Sequence, residues 1–383
     1  FNMATFDPQC ITYSQMNLIF NARFYYRRLT TWTKAYLLSR YFGIGTMEAQ
    51  FERLYLETLD IGEILQIIFG RQAAEEYSQL LSQYAIIANE LIIAQLAGDL
   101  ETVNRSVERL YQNVDARADF LQNLNPYWSA EEYRNLFYGF IEHVIELANA
   151  TAARDTAREI EHFDALNEHT DRMGDTFAEG LYAYLTSGSP PAEINVPCIT
   201  LEQMADIYTI RMFWFELVVW IRTYMLSRYA GTGDPEMIFA RLMQVPETFV
   251  NTMKKFFPKI DVESYLQLFN TYLELIASFV TAMLENNVEE LNLVTRSLYE
   301  NADERAAAVS AINPFWQEEP WRDLLYANLR NTIEESNTFL TGDYERNIDI
   351  FTRLLDIAET SSTFLAQGIF DYITQNQQTA APS

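Results

Sequence analysis

Lysine, histidine, cysteine, glycine and proline are all scarce in this chain, and each shortage excludes something. Lys34, Lys254, Lys255 and Lys259 are the only lysines among 27 basic residues, so arginine carries the positive charge. Against 53 acidic residues this leaves a net charge of −26 and a pI of about 4.4. A field of that sign repels nucleic-acid phosphates and anionic headgroups, and neither is expected as a partner. With 13 glycines and 11 prolines in 383 residues, a sheet-rich fold with many tight turns is not expected. Two cysteines cannot make a disulfide framework. Long apolar runs are missing too. The strongest, from Phe213 to Ile221, is interrupted by Glu216. It falls short of the roughly 20 residues that span a bilayer, so no membrane insertion is expected. No signal-peptide pattern is present; the first residue is Phe1 rather than Met, which fits either a removed leader or an incomplete N-terminus.

What is present is apolar residues, at 49 %, enough for proper cores. The main feature is a repeat. Cys10-Ile11-Thr12 recurs as Cys198-Ile199-Thr200, Asn125-Pro126 with Trp128 as Asn313-Pro314 with Trp316, and Gly180 with Tyr184 as Gly368 with Tyr372. Every pair is 188 residues apart. That period is too long for a solenoid and reads as domain duplication. Two modules, 1–188 and 189–383, meet at Ser187-Gly188-Ser189-Pro190-Pro191, which has linker composition.

Each module reads as helix throughout. Thr12 with Gln15, and Thr200 with Gln203, have capping-box spacing. The first helix of each module stops at a glycine pair, Gly43 and Gly45 or Gly231 and Gly233. Two short helices follow, started in module two at Asp234-Pro235 and Val245-Pro246. Long helices are expected over about 72–97 and 261–285, 100–122 and 288–311, from Ser129 to about 152, and over 156–185 and 343–374. Ile350, Leu354, Ile357 and Phe364 mark a buried seam on the last. The expected fold is all-α: two tandem homologous bundles of five long and two short helices, without a sheet.

The strings Leu110-Tyr111-Gln112-Asn113-Val114-Asp115 and Asn123-Leu124-Asn125-Pro126-Tyr127-Trp128, with their second copies, resemble a family of small all-helical proteins from spore-forming Firmicutes. So do Leu340-Thr341-Gly342-Asp343-Tyr344 and Trp32-Thr33-Lys34. Members are about one module long and commonly carry the label acetylglutamate kinase. That label implies an α/β fold with a glycine-rich phosphate loop; this chain has neither, so kinase activity is not expected. The resemblance also implies Glu-His pairs on three helices, a carboxylate–histidine metal site. Here the histidine positions hold Leu29, Tyr84 and Phe140 in module one, and Leu217, Tyr272 and Asn328 in module two. Neighbouring acids are mostly replaced as well (Arg28, Gln83, Gly139; Thr271, Ala327), with Glu216 the exception. Such substitutions turn a polar interior into packed core.

The remaining candidates are few. His143, His162 and His169 all lie in module one, and His162 and His169 share a helical stripe whose module-two counterparts are Ile350 and Ile357. They are candidate ligands of a relocated metal site, set against ordinary buried histidines bonded to local carbonyls. Cys10 and Cys198 are candidates for a disulfide, within the chain or between chains, set against two small buried apolar side chains. No serine or cysteine has a base beside it, and no catalytic residue is expected. The leading reading is a non-enzymatic structural or interaction protein that self-associates through its repeated modules. The alternative is a helical bundle holding a metal ion or small ligand in module one; no other cofactor is expected. The sequence does not determine the location; a soluble protein, cytoplasmic or associated with a spore or cell surface, is expected, and the spore enters only through the resemblance.

Overall fold

In the computed structural model, which describes residues 6–187 and 196–380, the chain is all-α apart from one two-residue ladder. It divides into two compact units. Unit 1 comprises Phe1–Asp7 and Ser14–Val196; unit 2 comprises Pro8–Tyr13 and Pro197–Ser383. The expected linker from Gly188 to Pro191 lies outside the described residues.

Unit 1 contains α1 (Tyr13–Phe42), the short α2 (Met47–Leu59) and α3 (Ile61–Phe69), then α4 (Arg71–Ala97), α5 (Leu100–Leu124), α6 (Ala130–Ala152) and α7 (Thr156–Thr186). The helix ends follow the local chemistry. Asp99, Ser129 and Asp155 each accept a hydrogen bond from a backbone N–H of the first turn they precede. Gly98 closes α4 in the left-handed region at φ 71°. Arg154 takes the same conformation at φ 57°, a strained choice for a side chain with a Cβ.

Unit 2 contains α8 (Leu201–Ala230), α9 (Pro235–Phe256), α10 (Val262–Leu284), α11 (Val288–Ile312), α12 (Glu318–Thr341) and α13 (Tyr344–Ala380). Thr200 and Gln203 form the expected capping box. One expectation is corrected here. Pro246 does not start a second short helix but lies inside α9, so unit 2 has one helix fewer than unit 1. Proline fixes φ near −65°, which is helical, and forfeits one backbone hydrogen bond. Burial of Ile238, Leu242, Val245, Phe249, Val250 and Met253 along α9 offsets that loss.

A second correction is the ladder. β1 (Ile11–Thr12) pairs antiparallel with β2 (Cys198–Ile199), in register Ile11 with Ile199 and Thr12 with Cys198. Both strands belong to unit 2. Residues 8–13 therefore precede α1 in the chain but pack in the other unit, not in the module that the repeat assigns them. Leu201 donates its N–H to the Pro8 carbonyl at 2.8 Å, and the Tyr13 ring meets Phe370 edge-on at 5.2 Å.

The same long-range contacts recur at positions 188 apart. Asn125 donates to the Gly180 carbonyl and Asn313 to that of Gly368, both at 2.9 Å. The indole N–H of Trp128 reaches the Phe177 carbonyl, and that of Trp316 the Leu365 carbonyl. Each asparagine thus ties the turn before α6 or α12 to the last helix of its unit, and the buried tryptophan beside it wedges the same joint.

Candidate functional site

The positions where the resemblance implies metal ligands are packed interior. Tyr84 is 8 % exposed, Phe140 3 % and Tyr272 1 %. They are not purely apolar surroundings, however. Each unit buries an arginine that the sequence reading missed. In unit 1, Arg117 lies over the rings of Phe137 at 4.2 Å and Tyr84 at 5.1 Å. Its Nε donates to Asn113 at 2.8 Å, and Asn113 donates to the Leu80 carbonyl at 2.8 Å. In unit 2, Arg305 lies over Tyr272 at 4.0 Å and Trp214 at 5.6 Å. Its Nε donates to Asn301, which donates to the Leu268 carbonyl. The signal was in the repeat: Asn113 and Arg117 recur in register as Asn301 and Arg305, one turn apart on a helix.

A buried guanidinium without a carboxylate is costly, and cation–π contacts worth about 2 kcal/mol when desolvated offset part of that cost. Burial lowers the Arg305 pKa to about 10, with Tyr272 opposing the shift. The two cages differ in their surroundings. Burial raises the Tyr77 pKa, and the nearby Arg117 guanidinium partly opposes that rise. In unit 2 the equivalent Tyr265 donates to the Ala308 carbonyl, and Arg305 Nη1 has no hydrogen-bond partner. The same holds for the Tyr272 hydroxyl and for the indole N–H groups of Trp214 and Trp321.

The histidines are partly brought together. The rings of His143 and His169 are 5.1 Å apart, and His162 Nε2 is 3.8 Å from a Glu146 carboxylate oxygen. His169 is committed on both nitrogens: Nε2 lies 2.7 Å from the Leu136 carbonyl and Nδ1 3.1 Å from Arg172. Since arginine only donates, Nδ1 accepts and Nε2 carries the proton, which describes a neutral ring. Burial, the larger cause, and the neighbouring His143 and Arg172 push its pKa down, partly opposed by the Leu136 bond. The ring occupies the space beside Gly139, where a Cβ would collide with it. The small residue at an implied ligand position thus makes room for this histidine. Among the described residues, no three His, Cys, Asp or Glu side chains meet as a metal-binding group.

Cys10 and Cys198 form a disulfide within the chain, beside the β1–β2 ladder and inside unit 2. Each cysteine bonds its own repeat equivalent, as Ile11 pairs with Ile199. The intrachain bond leaves neither thiol for a bond between chains.

Two further features lie at the surface. The corner between α4 and α5 exposes Leu96 (51 %) and Leu100 (74 %), and the corner between α10 and α11 exposes their equivalents Leu284 (41 %) and Val288 (62 %). An open cleft of about 490 Å³ in unit 2 is lined by Phe257, Ile260, Tyr265 and Tyr372, with Lys259 and Asp261 beside them. The expectation about apolar runs needs amending. α4 is long and apolar enough to cross a membrane, with mean hydropathy 1.4 over 18 residues, of which 39 % are buried. A core helix of a bundle passes the same test, and α4 packs against α5, α3 and α2.

Set against known protein families, curated proteins and solved structures, the chain matches no family model, no curated protein and no solved structure.

Proposed function

We propose that the chain is a non-enzymatic structural or interaction protein that associates with copies of itself through a surface present once in each unit. The observation that carries this reading is the paired exposure of Leu96 and Leu100 in unit 1 and of Leu284 and Val288 in unit 2. Contiguous exposed apolar side chains mark interaction sites more often than isolated ones do. Ile93, one helical turn before Leu96 on α4, is also exposed at 45 %. A chain carrying two copies of one self-complementary patch is bivalent and grows into open strings. The intrachain disulfide leaves this assembly to non-covalent contacts. A net charge of −26 opposes it, so salt or divalent cations strengthen it by screening. The resemblance adds a spore or cell surface as the setting, where a disulfide persists.

Sedimentation velocity across salt and protein concentration tests the reading. Wild-type protein should form a ladder of oligomers. Leu96→Asp/Leu100→Asp should stop at dimers, and adding Leu284→Asp/Val288→Asp should give monomers. Wild-type protein that stays a 44.5 kDa monomer throughout defeats the proposal.

A further inference from the structure

A slot of about 40 Å³ lies between α4, α5 and α6 of unit 1, lined by Tyr84, Leu91, Ile92, Leu110 and Ile141. Ala88, Val144 and Ile145 are half-buried and Gln95 is exposed, so these four form its mouth. The corresponding layer of unit 2 carries larger side chains. There the equivalents of Ala88, Leu91 and Gln95 are the larger Ile276, Phe279 and Met283, and the first two are 0 % and 2 % exposed. The slot in unit 1 thus lies where its side chains are smaller than their counterparts.

We propose that this slot is a binding site for a small uncharged apolar group, such as the end of a short alkyl chain. The lining is apolar apart from Tyr84 and Gln95 at the mouth, so a water inside it would find few hydrogen-bonding partners. Its volume exceeds the roughly 15 Å³ that one water needs and is far below the roughly 150 Å³ that accepts benzene. It therefore takes a few carbon atoms and not a ring. The charge of the unit sets which headgroup is admitted. Unit 1 is acidic overall, so a carboxylate headgroup is repelled and a neutral one admitted. The inference is independent of the self-association reading, because its residues are not those of the exposed corners.

The test uses full-length protein, with xenon and 1-butanol as probes and butyrate as the charged control. Methyl resonances of Leu91, Leu110 and Ile141 should shift with xenon and with 1-butanol, and butyrate should act at least about tenfold more weakly. Ala88→Ile/Leu91→Phe, which imports the unit 2 side chains, should abolish both responses and raise Tm by a few degrees. Ala88→Ile alone should weaken both, which guards against misfolding of the double variant. Xenon uptake without any response to 1-butanol would reduce the slot to a packing void and overturn the proposal. An unchanged response in Ala88→Ile/Leu91→Phe would overturn it equally.

Discussion

Arg222 and Glu335 form a buried ion pair in unit 2, with Nη1 and Oε1 2.5 Å apart and both side chains nearly inaccessible. The guanidinium also lies 4.1 Å from the Phe351 ring centroid. The equivalent cation in unit 1, Lys34, faces Glu159 at 3.5 Å. The acid has moved: position 335 corresponds to Leu147, and position 159 to Asn347. Each core therefore keeps a buried cation with one carboxylate, taken from α12 in one unit and α7 in the other. Breaking such a pair is expensive because it strands a buried charge.

Glu335→Leu places the unit 1 residue in unit 2 and leaves Arg222 without its acid. It should destabilise unit 2 by about 3–5 kcal/mol in urea denaturation. Asn347→Glu in the same background returns a carboxylate at the position Glu159 holds and should recover a large part of the loss. A double variant no more stable than Glu335→Leu would show that the two positions are not interchangeable.

Gly180 and Gly368 admit the buried indoles of Trp128 and Trp316, on which an added Cβ would fall. Either ring is about 1 % exposed and hydrogen-bonded through its N–H, so it cannot swing away cheaply. Gly180→Ala should cost about 1–3 kcal/mol through overpacking, and Gly368→Ala a similar amount. Tryptophan fluorescence during denaturation reads both.

Glu179 has its pKa raised to about 7, first by burial and then by Asp175 and Glu132. Its Oε1 has no hydrogen-bond partner. A carboxyl whose pKa is higher folded than unfolded favours folding at low pH. That contribution is lost as pH rises from the ordinary value of 4.5 through about 7. Glu179→Gln, which installs the residue found at the equivalent Gln367, should raise Tm at pH 8 and leave it nearly unchanged at pH 4. An equal gain at both values would show that charge is not the cause.

Reduction of Cys10–Cys198 should loosen residues 8–13 before anything else. The ladder has only two residues per strand, supported by the Leu201–Pro8 hydrogen bond and the Tyr13–Phe370 contact, so the covalent tie carries a large share of the segment's hold. Limited proteolysis should cut near Cys10 in reduced protein and spare it in oxidised protein. The helical circular dichroism should stay nearly constant.

Much of the helical framework was legible in the sequence because its signals are local. Ser129, Thr200 and Asp234 cap the helices they precede, and Gly98, Gly231 and Gly342 end theirs with left-handed backbone. Apolar spacing placed Ile350 and Leu354 in the core, though Ile357 and Phe364 are only half-buried, since the seam drifts towards Leu355, Ala358 and Leu365. The site was less legible. The sequence alone named Cys10, Cys198 and the three histidines, but not which sulfurs meet or that His169 would spend both nitrogens on Leu136 and Arg172.

The sequence by itself determined many of the helix ends, and which residues recur 188 positions apart, because caps, glycines and periodic apolar faces act over a few residues. Tertiary structure decided the rest. It carried α9 through Pro246, placed residues 8–13 in unit 2, buried Arg117 and Arg305 among aromatic rings, and matched Arg222 with an acid on a different helix from the one that serves Lys34. Each of these depends on what lies across the core from a residue, and that neighbour is fixed only when distant helices pack.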